Sequence, residues 1–174
     1  MGTDGDGSKA PGWVQRAVIG RRPERTLVRI VVLVAVCLFM FKFVLVPIRV
    51  RGISMSPTYL DGRVDFVNRL PYLFHEPKRG DIVAIRTVGG EQIMFLKRII
   101  GLPGETLSFH NGRAIINGKV LDEPYVHGPC SWEHPAEPIG PDEYYVVGDN
   151  RTMEWGEHEQ GRAKREHIVG KIFL

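Results

Sequence analysis

Two kinds of hydrophobic pattern divide the chain. From Ile30 to Phe41 every position is apolar, counting Cys37, and after Lys42 the run resumes from Phe43 to Ile48. A helix over Ile30–Ile48 is about 28 Å long, enough to cross the hydrocarbon core of a bilayer. A helix buried in a soluble core is disfavoured, because Ile30 to Phe41 offers no polar positions at helical spacing. Lys42, near one end, reaches the interface along its long stem, and Pro47 is expected to end the helix. Past Arg49 the pattern changes to short apolar or alternating stretches separated by Gly, Pro and Asn. Strands are predicted over Val64–Asn68, Asp81–Thr87, Ile93–Ile100, Thr106–His110, Arg113–Ile116, Tyr144–Val147 and Ile168–Phe173. Asn111-Gly112 and Asn117-Gly118 sit between strand-like runs as tight-turn signals and suggest a meander. The Pro- and Gly-rich stretch from Pro124 to Pro141 reads as a long irregular loop, and Glu157 to Arg165 as a short helix. The fold class expected is mainly β, an antiparallel domain preceded by one N-terminal transmembrane helix.

Composition narrows this only at the edges. The 174 residues hold 23 Lys+Arg against 20 Asp+Glu, a charge of +3, with 43% hydrophobic and 25% charged residues. These values exclude a wholly disordered chain, a collagen and a multi-span membrane protein. Met1 to Pro11 is rich in Gly and Asp and reads as disordered, and Val14 to Ile19 as a short amphipathic turn. Three regions follow: a basic tail over 1–29, an anchor over 30–48 and an exported domain over 49–174. Lys9, Arg16, Arg21, Arg22, Arg25 and Arg29 precede the span, against Arg49 and Arg51 just after it. The positive-inside rule then puts the N-terminus in the cytoplasm, so the chain is expected as a single-pass protein of the plasma (inner) membrane. No small-residue cleavage site follows Pro47, which favours a retained anchor over a cleaved signal peptide. Basic residues gathered beside the membrane suggest anionic lipid as a partner, rather than nucleic acid. Cys37 lies in the membrane and Cys130 far outside it, so the two are not expected to pair. The six histidines lack metal-like spacing, and there is no phosphate loop, dinucleotide fingerprint or HExxH. Neither a metal nor an organic cofactor is expected.

Two segments carry candidate chemistry. The first, Gly52-Ile53-Ser54-Met55-Ser56-Pro57-Thr58, begins a few residues after the span. The second runs from Phe95 to Glu105 and sets Lys97 within a β-like apolar stretch. Strand alternation places Lys97 on the face of Phe95 and Ile99. Apolar surroundings disfavour the ammonium form of a lysine. A neutral amine can take the proton of a nearby Ser hydroxyl and activate it as a nucleophile.

Ser54-Met55-Ser56-Pro57-Thr58, Arg79-Gly80-Asp81-Ile82-Val83, Lys97 to Gly104 and Gly148-Asp149-Asn150-Arg151 occur in that order behind one anchor. From about Ile30 to Leu174 the chain therefore resembles the bacterial type I signal peptidases. The resemblance implies antiparallel sheets of signal-peptidase type and a Ser-Lys endopeptidase acting on signal peptides of exported preproteins. It assigns Ser54 as nucleophile and Lys97 as general base, with the Ser54 N–H contributing to the oxyanion hole. Gly52 stands where some family members add a Ser hydroxyl donor. Val50, Tyr59, Phe95 and Leu96 would help line shallow pockets for small apolar side chains at the first and third positions before the cut. Nothing in the resemblance fixes an oligomeric state.

The fourth motif departs from the family pattern. After Gly-Asp-Asn-Arg the family carries a Ser that hydrogen-bonds the lysine, and Glu154 takes its place. Gly156, Glu157 and His158 replace the Asp, Ser and Arg that follow. A carboxylate within reach of Lys97 would favour the ammonium and weaken a general base. Two readings stay open: Glu154 orients or burdens the dyad, or this loop has drifted and another group orients Lys97. Alternatively, Glu154 pairs with His158, one helical turn away if the segment is helical. Asp65 is a second departure, at a position the family usually fills with an apolar, groove-facing residue. It is expected as an edge residue facing solvent, or else as a polar element of substrate selection. Beside an active signal-peptide endopeptidase, two alternatives remain. One is a weakened relative that binds extended peptides, and the other is a narrow-specificity peptidase with a dedicated substrate. Self-cleaving repressors also use a Ser-Lys pair, but their DNA-binding part is missing here.

Overall fold

The computed structural model describes residues 23–86, 94–157 and 161–173. The predicted features over Met1–Pro11 and Val14–Ile19, the Thr87 and Ile93 strand ends, and the Glu154–His158 pairing lie wholly or partly outside them. The chain forms two units that divide between Met40 and Phe41.

The first unit contributes helix α1, Pro23–Phe39. Its apolar side chains, from Leu27 to Phe39, are largely exposed, and the helical stretch Glu24–Val44 is 21 residues long. A helix apolar on every side and packed on none suits a lipid environment by length and composition. Its limits differ from those expected. The α-helix starts at Pro23 rather than Ile30 and stops at Phe39. One π-helical turn, Met40–Val44, follows, and the last apolar residues form strand β1, Leu45–Arg49. Pro47 therefore lies in a strand instead of closing the helix. It is tolerated because β1 is the edge of its sheet, where a missing N–H costs no ladder bond on the outer side.

The second unit is β-rich. Its strands are β2 (Val64–Asn68), β3 (Ile82–Arg86), β4 (Met94–Gly101), β5 (Thr106–His110), β6 (Arg113–Ile116), β7 (Lys119–Val120), β8 (His134–Pro138), β9 (Glu143–Val147), β10 (Gly161–Lys164) and β11 (Ile168–Ile172), with a single helical turn, α2 (Pro71–Phe74), after β2. A seven-stranded sheet has the order β1-β2-β11-β3-β4-β9-β10, and a four-stranded sheet the order β7-β6-β5-β8. Among the described residues, the strands of both sheets pair antiparallel throughout, as the alternating pattern implied. The two Asn-Gly turns close β5–β6 and β6–β7. Asn111 and Gly112 have φ of 48° and 72°, and Asn117 and Gly118 of 51° and 78°, the paired positive values such two-residue hairpins need.

Two expectations fail. The stretch from Pro124 to Pro141 contains β8, which pairs with β5 from Thr106↔Pro138 to Phe109↔His134. Its prolines sit on an outer strand, where sequence patterning is weak. The described residues of Glu157–Arg165 do not form the expected helix. A 3-10 turn at Trp155–Glu157 is followed by β10, whose Ala163 is buried opposite Tyr144. One small buried residue between Arg162 and Lys164 gives too faint an alternation to read.

The large sheet is buried on both faces. Val50, Met55, Tyr59, Val67, Ile82, Ala84, Leu96 and Ile172 pack on one side, and Val83, Ile99, Tyr144, Val146, Ala163 and Ile168 on the other. The small sheet closes on Leu107, Phe109, Ile116 and Trp132, against Ile100, Tyr145 and Val147 of the large sheet.

Candidate active site

Ser54 lies in the connection between paired strands β1 and β2. Their register Arg49↔Val64 continues into the loop, where the Val50 N–H donates to Arg63 O at 2.8 Å and the Gly62 N–H to Val50 O at 2.9 Å. These bonds pinch the loop at its base. Inside it, Ser56 N–H donates to Ile53 O (3.0 Å) and Tyr59 N–H to Met55 O (2.9 Å), making a compact turn over 53–59. Met55 and Tyr59, 1% and 2% exposed, anchor this turn in the core.

Lys97 comes from β4. Its neighbours Leu96 and Ile99 belong to clusters on opposite faces of the sheet, so the alternation inferred from sequence holds. Lys97 is 2% exposed, and its Nζ lies 2.9 Å from Ser54 Oγ. Burial withdraws the water that would otherwise solvate the amine.

The next residue, Arg98, ties the same loop from another direction. Its Nε and Nη2 donate to the two carboxylate oxygens of Asp149 at 2.8 and 2.7 Å, and the Thr58 hydroxyl donates to Asp149 Oδ2 at 2.7 Å. Asp149 is fully buried. The Arg98 guanidinium also donates to Gly80 O and lies 3.8 Å from the Tyr125 ring centre. Burial works against the Arg98 charge, but Asp149 more than offsets it and raises the guanidinium pKa above its ordinary value. Asn150 completes the clamp: its N–H donates to Ser54 O (2.9 Å) and its side-chain amide to Ile53 O (3.1 Å). Arg151, 1% exposed, pairs with Glu123 and donates to Gly148 O. Thr58, Arg98, Asp149 and Asn150 lie inside the motifs quoted above, but no sequence argument gave them a role. The signal available was charged residues interleaved with a strand's apolar run.

Of the expected groove residues, Val50, Tyr59 and Leu96 share one buried cluster. Phe95 is half-buried, pairs with Ile85 and lies on the face opposite Leu96. The structure thus brings three of the four together. β4 also has a half-open edge. It pairs with β3 from Met94 to Arg98, whereas β9 reaches it only from Arg98 to Gly101. Among the described residues, no strand pairs with Met94–Lys97 on that second side, next to the dyad.

Glu154 stands exposed on its turn. The residues beside it hold that turn against the small sheet. Met153 O accepts the Trp132 indole N–H at 2.9 Å. Trp155 packs edge-on to Phe109 and Trp132, with centroids 5.4 and 5.2 Å away, and stacks on His134 at 4.7 Å. Asp65, expected at the solvent edge, is instead 8% exposed, on the core-facing side of β2 with Val67.

The family profile described as signal peptidase, peptidase S26, matches residues 24–174. Signal peptidase I S of Bacillus subtilis is 37% identical over 133 residues, covering 70% of this chain and 71% of that protein. Probable signal peptidase I-2 of Synechocystis is 33% identical over 126 residues, and signal peptidase I of Leptolyngbya laminosa 34% over 128. This chain spans 58% and 63% of those two proteins' lengths. A crystal structure of a signal peptidase I from Enterococcus faecalis aligns over 57% of this chain and 98% of its own, at 25% identity and a TM-score of 0.46.

Proposed function

The chain belongs to the signal peptidases of peptidase family S26, and from that premise we propose that it is a membrane-anchored serine endopeptidase removing N-terminal signal peptides from exported preproteins. The observation that carries this reading is the 2.9 Å contact between Ser54 Oγ and the buried Lys97 Nζ. With the amine neutral, the hydroxyl donates to it and transfers its proton as Oγ attacks the scissile carbonyl. As the tetrahedral adduct collapses, the Lys97 ammonium protonates the leaving amine, the C–N bond breaks and an ester joins Ser54 to the signal peptide's new C-terminal carbonyl. The neutral Lys97 amine then draws a proton from the water that attacks the ester and gives it to Ser54 Oγ as the C–O bond breaks. The Asp149, Arg98 and Asn150 clamp holds the Ser54 loop through these steps, which supplies positioning rather than chemistry.

The substrate binds as an added strand on the open edge of Met94–Lys97. Main-chain hydrogen bonds give affinity, and alternate side chains meet the apolar surface of Val50, Tyr59 and Leu96. Helix α1 anchors the enzyme in the membrane, with its basic N-terminal flank on the cytoplasmic side. The test is cleavage of a preprotein carrying an Ala-X-Ala site by the detergent-solubilised full chain, beside Ser54→Ala and Lys97→Ala. Cleavage at that site, abolished in both variants, is expected. A well-folded parent that cuts nothing from pH 6 to 10 would sink the reading and leave a peptide-binding relative in its place.

A further inference from the structure

Two buried arginines stand next in sequence to residues of the site. Arg98 follows Lys97 in β4, and Arg151 follows Asn150, whose N–H holds Ser54 O. One short segment, Glu123-Pro124-Tyr125, answers both. Glu123 pairs with Arg151. The Tyr125 ring lies on Arg98, with 3.8 Å between its centre and Arg98 Cζ. The Tyr125 hydroxyl donates to Glu123 Oε1 at 3.1 Å and so joins the two contacts. Burial, and after it the Glu123 charge, pushes the Tyr125 pKa up, so the hydroxyl keeps the proton it donates. The chain then runs on against the fourth motif. His127 bridges Asn150, and a Cβ on Gly128 would stand 2.3 Å from the Thr152 methyl.

A guanidinium donates from its edge. In Arg98 that edge is used by Asp149, through Nε and Nη2, and by Gly80 O, through Nη1. The flat face is left for an aromatic ring, which attracts the charge without competing for the carboxylate. An ion pair kept from water attracts more strongly and holds a narrower geometry. Asp149 in turn accepts from Thr58, in the turn that carries Ser54. Arg98 therefore ties β4 to that turn, one residue from Lys97. We propose that Tyr125 is a positioning residue of the dyad: its ring holds the Arg98 guanidinium against Asp149, and so keeps Lys97 Nζ within reach of Ser54 Oγ. This inference rests on the peptidase reading and adds a residue to its machinery. A misplacement of about 1 Å between reacting groups costs up to about a hundredfold in rate. Substrate is held at the Met94–Lys97 edge, so the loss falls on kcat rather than KM.

The experiment measures kcat and KM for an Ala-X-Ala preprotein with the full chain in detergent, as parent, Tyr125→Phe, Tyr125→Leu and Tyr125→Met. Each is assayed well below its own denaturation midpoint, with rates referred to folded protein. Tyr125→Phe keeps a ring on Arg98 and should stay within about threefold of the parent. Leu and Met fill the space without a ring and should lower kcat about tenfold, with KM within about twofold. Should one of these two fail to fold, the other carries the comparison. Hydrogen exchange of the same proteins reads the turn directly. The Ser56 and Tyr59 amides, bonded to Ile53 O and Met55 O, should exchange about tenfold faster in Tyr125→Leu and Tyr125→Met, while β5 and β6 keep the parent's rates. A merely structural Tyr125 would lower the midpoint, speed exchange throughout and leave kcat per folded molecule unchanged. That result, with the preprotein still cleaved, overturns the inference and leaves the peptidase reading intact. Tyr125→Phe as impaired as Tyr125→Leu also overturns it, since the hydroxyl and not the ring would then matter. If the parent cleaves nothing, the peptidase reading fails and exchange alone decides. Faster exchange confined to the 53–59 turn sustains the positioning role, and exchange unchanged or raised throughout overturns it.

Discussion

Replacing Asp149 by Ala should unfold this domain sooner than any single surface change. The carboxylate is fully buried and accepts from Thr58 at 2.7 Å and from Arg98 at 2.8 and 2.7 Å. Its removal leaves the Arg98 guanidinium, 7% exposed, with Gly80 O and the Tyr125 ring but no counter-charge. Breaking a buried ion pair from one side costs about 3–5 kcal/mol. The orphaned Thr58 hydroxyl adds about 1 kcal/mol. A total near 4–6 kcal/mol corresponds to a Tm lower by roughly 10–20 °C for a domain of this size. The assay is denaturant and thermal unfolding of the full chain in detergent, followed by tryptophan fluorescence, since Trp132 and Trp155 report on the small sheet. Arg98→Met with Asp149→Leu removes both charges and should recover part of the loss, because no uncompensated ion stays buried. A destabilisation of Asp149→Ala below about 1 kcal/mol would refute the reasoning. So would a double variant as unstable as the summed singles.

Other outcomes follow from the same contacts. Asp81 accepts from Tyr72, the Lys78 N–H and Lys171. Burial pushes its pKa up, but these bonds outweigh burial and hold it below the usual carboxylate range. Its contribution is therefore present at neutral pH and lost as pH falls through the depressed value. The stability gap between parent and Asp81→Asn should be widest near pH 7 and narrow below about pH 4, and a gap constant from pH 3 to 7 would contradict this. Gly112→Ala should lower the unfolding free energy by several kcal/mol, read as a lower denaturation midpoint, because φ is +72° and a Cβ would stand 2.1 Å from Cys130 O. Glu154→Ser should leave kcat/KM within about twofold, as substitutions at exposed positions usually do; a gain of tenfold would put Glu154 at the dyad.

What the sequence disclosed, and what it hid, has a physical pattern. The long apolar helix was legible because twelve successive apolar residues admit few soluble explanations. Its end was misplaced because β-branched and aromatic residues serve an edge strand as well as a helix, and only pairing with β2 recruits Leu45–Arg49. Strand β2 was legible from alternation, and β5 and β6 from alternation bounded by Asn-Gly turns. β8 and β10 were not, since their formation depends on partners far along the chain. Ser54 and Lys97 stand out in the sequence through motif order. Their 2.9 Å approach depends on a loop pinned by Asn150 and Asp149, about 95 residues away in sequence, and no local pattern encodes that closure. Asp65 was misjudged because two apolar neighbours in a strand leave the burial of the middle residue to register alone.

The claim at the centre is that Ser54 is the nucleophile and Lys97 its base. The most direct measurement is intact mass of the full chain quenched in acid milliseconds after mixing with a preprotein peptide, with the adduct mapped by digestion. The account predicts an ester on Ser54 in the parent, none in Ser54→Ala, and formation slowed by at least about a hundredfold in Lys97→Met. Turnover that persists in Ser54→Ala, or an adduct on any other residue, would contradict it.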